Sequence, residues 1–274
     1  MAAPISVKTP AEIDRMRSAG AVVAACHDAV KALVRPGVTT GVLDEAVWRT
    51  MRAAGGSPLF LGFPNPDCDG VPFPAVSCVS VNEEVVHGIG SDRVLLDGDV
   101  VSVDVGVRLR GWCGDSGWTY AVGELAPETG RLMEVGRASL AFALRELPRA
   151  ERWSEIAGPL AEIAAEAGFG VVKQFSGHGL GRTMHEPPEV PNYPDEHRVR
   201  WDFDLVPGMT LAIEPMLTAG EGEVELDEDD WWTVRTADGS TAVHFEHTVA
   251  LVERPGGRRG VEVLTAGVGE PLGL

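Results

Sequence analysis

The stretch from Phe175 to Pro188, FSGHGLGRTMHEPP, sets His178 and His185 seven residues apart in a run loosened by Gly177, Gly179 and Gly181. Imidazoles can ligate a metal, move protons or simply sit as satisfied polar groups, and spacing alone does not choose between these. The glycines give GxGxG with neither the GxGxxG fingerprint nor a P-loop Lys-Ser/Thr, so nucleotide binding is unsupported. HEPPE from His185 is not the HExxH of a zinc-binding helix, and Pro187-Pro188 would break such a helix.

Acids extend the chemistry. In VVSVDVGV the residues Val101, Val103, Val105 and Val107 make one apolar strand face and leave Asp104 on the other. In TLAIEPML, Leu211 and Ile213 alternate with Glu214; in VHFEHTVAL, Val243, Phe245, Val249 and Leu251 alternate with Glu246. Asp115 lies across the turn LRGWCG, where a hairpin returns it beside Asp104. A single acid on a half-buried strand ordinarily faces water. Four that converge would repel one another and could not all ionise without cations. Carboxylates with an imidazole suit Mn, Fe, Co or Zn. A site this rich in acids fits two ions roughly 3.5–4 Å apart. GDSG at 114–117 offers a different chemistry, with His87, Asp104 and Ser116 in the order His, Asp, Ser. They are crowded into one short stretch and the strand spacing of an all-β protease is absent, so the serine reading is set aside.

Two similar sets of elements are expected to position these groups. Thr9, Pro10 and Glu12 form an N-cap, a first-turn proline and a capping-box acid. Ile13, Met16, Val23, Val30 and Leu33 follow at helical spacing until Pro36-Gly37. Thr40 opens a second helix that closes at Gly55-Gly56, and β-rich AVSCVSVN and DVVSVDVGV come after a Pro/Gly-rich loop at 62–74. The order then repeats: a helix from about Pro127 to Leu147, another after Ser154 whose start Pro159 perturbs, and strands at 170–176, 209–218, 231–236 and 242–252. The fold class expected is α+β, one domain with pseudo-repeat halves at about 7–125 and 126–252, its helices covering one face of a curved antiparallel sheet.

Composition narrows the options. A chain of 274 residues with 44% hydrophobic residues can bury a large core, and its net charge of −18 disfavours a DNA or general nucleic-acid binder. MAAPISVKTP has no apolar signal core and no run is long enough to span a membrane. Cys26, Cys68, Cys78 and Cys113 form no CxxC pair or disulfide scaffold. Reduced thiols and a cytoplasmic location are the simplest expectation.

Taken in order, VKTPAEIDRMRSAG, VRPGVTTGVLDEAV, SVNEEVVHGIG, VDVGVRLRGWCGDSG, GHGLGRTMHEPPEVPNY, PGMTLAIEPM and FEHTVAL resemble the bacterial type I methionine aminopeptidases, from about Val7 to Val252. The resemblance implies the pita-bread fold and a dinuclear site. Asp104, Asp115 and Glu246 match the ligands of one ion; His178 and Glu214 complete the other, with Asp115 and Glu246 bridging. It further implies two divalent ions (Co, Mn, Fe or Zn) and removal of N-terminal methionine from nascent polypeptides, with a small second residue. Glu214 would shuttle the proton, His185 would face the scissile carbonyl and His87 the peptide nitrogen beyond it. Phe73, Cys78 and Trp232 match the methionine pocket, and the expected assembly state is a monomer.

This chain departs from the pattern in three places. GFPNPDCDGVPFP is longer and richer in proline, Met184 replaces an aromatic, and AGEGEVELDEDDWW carries seven acids between Glu221 and Asp230. Phosphate would repel that last segment, so ribosome association, left open, is not expected through 221–230. Two alternatives share the fold: an Xaa-Pro aminopeptidase or dipeptidase, and a non-catalytic binding protein. The first usually has a sizeable N-terminal domain, whereas VKTPAEID starts within ten residues of Met1; the second should have lost ligands that are intact here.

Overall fold

Helix α1 (Pro10–Lys31) begins where its capping chemistry puts it. Glu12 donates its N–H to Thr9 Oγ1 at 3.4 Å, and Thr9 returns its own N–H to the Glu12 carboxylate at 2.9 Å. The chain is described by a computed structural model over residues 4–65, 71–194 and 201–269. After α2 (Thr40–Ala53) come β1 (Ser57–Pro58), β2 (Cys78–Val81), β3 (Glu84–Val86), β4 (Val100–Leu109) and β5 (Trp112–Ala121). The second set is α3 (Pro127–Glu146), α4 (Ser154–Glu166), β6 (Gly170–Val171), β7 (Gly177–Gly179), β8 (Glu186–Val190) and β9 (Thr210–Ile213). It continues with β10 (Met216–Thr218), β11 (Val224–Leu226), β12 (Val234–Thr236), β13 (Ala242–His244), β14 (His247–Arg254) and β15 (Arg258–Val263).

The ladders between these strands are antiparallel. β4 is flanked by β1, β2 and β5, while β14 and β7 flank β9 in the order β15-β14-β9-β7-β8. β12, from the second set, pairs with β3 from the first. Helix α1 packs on β4 and β5, and α3 on β10 and β13. The apolar face read from VVSVDVGV is the core: Val101, Val103, Val105 and Val107 are fully buried. The opposite face of β4 is mostly buried too, so Asp104 does not stand on a solvated surface.

Several element expectations need correction, among them the strands expected at 170–176 and 231–236, which span only Gly170–Val171 and Val234–Thr236. Pro159 lies inside α4 without shifting its start, which Asp202 fixes by accepting the Ser154 N–H at 2.9 Å. The strand expected at 209–218 is two strands split at Glu214-Pro215, and that at 242–252 is split at Phe245-Glu246. Proline supplies no ladder donor, which accounts for the first split. Cys26, Cys78 and Cys113 are buried free thiols; Cys68 and part of the 62–74 loop lie outside the described residues. No helix among the described residues is long and apolar enough to cross a membrane.

Candidate metal centre

Register brings the first two acids together. In the β4–β5 ladder Asp104 faces Gly117 and Gly106 faces Asp115. Directly opposed residues share a sheet face, as do residues two apart, so both carboxylates project to one side. The glycines opposite them leave needed room: a Cβ on Gly117 would come within 2.7 Å of the His244 ring, and one on Gly106 within 2.8 Å of Phe60.

Hydrogen bonds to β5 deliver the third acid. Glu246 donates its N–H to the Gly117 carbonyl at 2.7 Å, and its own carbonyl accepts from Ser116 Oγ at 2.5 Å. Thr248 Oγ1 accepts the Asp115 N–H at 3.0 Å and donates to the Asp115 carbonyl at 2.7 Å. The Ser116 hydroxyl is thus occupied by a backbone carbonyl, not by a histidine. Glu214 is the residue after β9, and its carbonyl accepts from Asn192 Nδ2 at 3.0 Å.

His178 sits in β7 with Nδ1 2.9 Å from the Gly179 carbonyl. A carbonyl can only accept, so Nδ1 carries the proton and Nε2 presents a lone pair. That Nε2 lies 3.9 Å from Asp115 Oδ2 and 3.7 Å from Glu214 Oε1. Ligand atoms of Asp115, His178 and Glu246 all fall within 4.8 Å of one another.

The electrostatics of this cluster call for cations. Burial pushes the Asp104 carboxyl up to about 6 and Glu214 up to about 8. Burial, then repulsion from the neighbouring acids, raises Asp115 and Glu246 well above the ordinary carboxylate range. Burial also lowers His178 to about 4, which keeps its imidazole neutral. Asp104 Oδ1, Asp115 Oδ1 and Glu246 Oε1 are buried without a hydrogen-bond partner. Four acids, three of them with orphaned oxygens, and a neutral imidazole are a donor set that fits divalent ions.

A cavity of about 340 Å³ opens onto the cluster. His185 borders it, its ring 4.4 Å from that of His178 at 85° and edge-on to Phe63. His87 borders it with a left-handed backbone, φ 60°, and its ring edge-on to Phe175. Burial lowers His87 to about 4 and lowers His185 as well, so both are neutral donors or acceptors near pH 7. Phe73, Cys78 and Trp232 line the cavity and pack with Phe60, Ala75 and Met184 into a separate apolar cluster. Trp232 donates its indole N–H to the Val71 carbonyl at 2.9 Å.

The sequence-derived residues therefore all reach one cavity, but the set was incomplete. His244 also lines it, 3.6 Å from Glu214 Oε2, and was missed, although its place two residues before Glu246 in VHFEHTVAL puts it on the same strand side. Phe60, Phe63, Phe175 and Met216 line it too, from loops and strand ends with no period to betray them. The acidic 221–230 segment contains β11 and the start of its connection to β12, with which β11 forms a hairpin. Arg235 donates to Asp227 at 2.8 Å, and Asp230 accepts the Trp232 and Thr233 N–H groups.

Residues 14–253 match the model for metallopeptidase family M24. The chain is 42% identical over 262 residues to methionine aminopeptidase 1 of Bacillus subtilis (strain 168), covering 95% of this chain and 99% of that protein. It is 42% identical over 247 residues to the methionine aminopeptidase of Treponema pallidum, covering 90% and 92%. The crystal structure of the Thermotoga maritima methionine aminopeptidase superposes with a TM-score of 0.86 at 37% identity, over 96% of this chain and 99% of that one. Prolidase from Pyrococcus furiosus shares the pita-bread fold at a TM-score of 0.70 and 20% identity, and this chain spans 65% of it.

Proposed function

We propose that this chain, which belongs to metallopeptidase family M24, is a methionine aminopeptidase that hydrolyses the N-terminal methionine from nascent proteins and peptides whose second residue is small. The observation that carries this reading is the meeting of Asp115, His178 and Glu246 ligand atoms within 4.8 Å beside an apolar cavity. Asp104, Asp115 and Glu246 would hold one divalent ion, and His178 with Glu214 would complete a second, Asp115 and Glu246 being shared. Bound there, the ions supply Lewis acidity to a water and to the substrate α-amine.

The protein's own groups do the rest. Phe73, Cys78 and Trp232 receive the methionine side chain, whose thioether suits an aromatic and sulfur lining. Glu214 takes the proton of the attacking water and hands it to the leaving amine. His185 donates to the scissile carbonyl as it becomes an oxyanion, and His87 holds the peptide nitrogen beyond it. The acidic hairpin does not carry docking on ribosomal phosphate; a salt-sensitive ribosome pull-down abolished by deleting 221–230 would overturn that.

The test is hydrolysis of Met-Ala-Ser by metal-free protein reloaded with Mn, Co, Fe or Zn, beside an Xaa-Pro peptide. Metal-dependent methionine release with no cleavage of the Xaa-Pro peptide is the expected result. Cleavage of Xaa-Pro alone would replace the reading.

A further inference from the structure

Glu214 is flanked by imidazole on both sides. Its Oε1 lies 3.7 Å from His178 Nε2, and its Oε2 lies 3.6 Å from His244 Nε2. His178 has a role in the cluster already; His244 has none. It closes β13, is 2% exposed, and its Nε2 is buried without a hydrogen-bond partner while facing the cavity. Its backbone is fixed by one hydroxyl: the His244 N–H donates to Thr119 Oγ1 at 2.8 Å, and Thr119 Oγ1 donates to the His244 carbonyl at 2.9 Å. Gly117 seats the ring, since a Cβ there would fall 2.7 Å from His244 Cε1. A ring so held, with one unpaired nitrogen nearer Glu214 Oε2 at 3.6 Å than Glu246 Oε2 at 4.0 Å, is placed to act on Glu214.

We propose that His244 is a positioning residue for Glu214: its Nε2–H donates to Glu214 Oε2 and so directs Oε1 toward His178. A small rotation of the carboxylate closes the 3.6 Å separation to hydrogen-bond length. His244 is not itself a ligand in this arrangement, and it stands outside the group formed by Asp115, His178 and Glu246. The inference rests on the metallo-aminopeptidase reading of the site, but its first readout is metal binding, which needs no turnover.

The experiment titrates Mn²⁺ into metal-free wild type, His244→Gln and His244→Leu by calorimetry, then measures kcat and KM on Met-Ala-Ser at saturating metal. His244→Leu, which fills the space without a donor, should bind Mn²⁺ about 10-fold more weakly at unchanged stoichiometry. Its kcat should fall by a similar factor with KM nearly unchanged, and His244→Gln, which keeps a donor, should recover most of both. His244→Met serves the same comparison should His244→Leu not fold. Loss of one Mn²⁺ equivalent in the leucine variant would make His244 a ligand instead and overturn the proposal. So would wild-type affinity in that variant, or a glutamine variant no better than leucine. A wild type that binds Mn²⁺ as expected but releases no methionine would sink the proposed activity and leave His244 judged by the titration.

Discussion

Asp104 and Asp115 stand within β4 and β5, two unbroken strands of ten residues each, whereas Glu214 and Glu246 stand in gaps between short strands. Ladder bonds along an unbroken strand fix the Cβ direction of its residues, so the first pair is aimed chiefly by register, with Thr248 Oγ1 meeting both backbone groups of Asp115. A residue in a gap has lost that guidance, and its backbone polar groups must be met elsewhere. For Glu246 they are met by the Gly117 carbonyl and the Ser116 hydroxyl, and for Glu214 in part by Asn192. One half of the site is thus a rigid template; the other is pinned to it by a few named hydrogen bonds.

Substitutions should tell the two kinds of support apart. Asp115→Ala removes a proposed ligand from the template and should cost far more than the roughly 100-fold typical of outer partners, with Mn²⁺ stoichiometry falling in the same protein. Metal retained at wild-type stoichiometry in that variant would deny Asp115 its role. His185→Ala should leave metal bound and slow turnover by about 10²–10³-fold. Equal metal loss in His178→Ala and His185→Ala would erase the division between ligand and substrate contact. Ser116→Ala tests the pinning itself. Releasing the Glu246 carbonyl should weaken Mn²⁺ about 10-fold while leaving turnover measurable. Unchanged affinity would mean that the gap residue needs no pin, and complete inactivity with metal in place would revive the serine reading.

Stability effects come below these. Gly117→Ala forces a Cβ against the His244 ring and should destabilise by about 1–3 kcal/mol in thermal melts; a neutral result would show that the ring can move aside. The smallest effect concerns the turn that presents His185. Glu186 is raised by burial, but the Lys8 ammonium at 2.7 Å and the Thr183 and Arg182 N–H groups more than offset this, leaving it below its ordinary value. A depressed carboxylate stabilises above its unfolded pKa and loses that contribution as pH falls through its folded one. The melting-temperature gap between wild type and Lys8→Met should therefore be widest at neutral pH and narrow below about pH 4. A gap that does not vary with pH would remove the Lys8–Glu186 pair from the account.

How much of this was legible in the sequence follows the same divide. Capping at Thr9 and Glu12, the apolar face of β4 and the return of Asp115 were all readable, because they depend on residues close in the chain. The breaks at Glu214 and Glu246 were not. Alternation of Leu211, Ile213 and Glu214 looks like one strand until Pro215 is weighed, and nothing local marks the interruption at Phe245. For His244 the period places it on the side of Glu246, but period alone does not distinguish an imidazole aimed into a cavity from one that merely packs.

By itself the sequence determined the helices, the strand faces and the identity of the donor groups, since propensity, capping and period are local. Family resemblance then supplied a role for most of those groups. Tertiary structure alone decided that Asp115, His178 and Glu246 meet, that His87 takes a left-handed backbone, and that His244 lines the same cavity with apolar residues such as Phe60, Phe63, Phe175 and Met216. The reason is physical. A metal centre needs donor atoms within a few ångströms of each other, and only packing between distant strands can bring together residues more than a hundred positions apart in the chain.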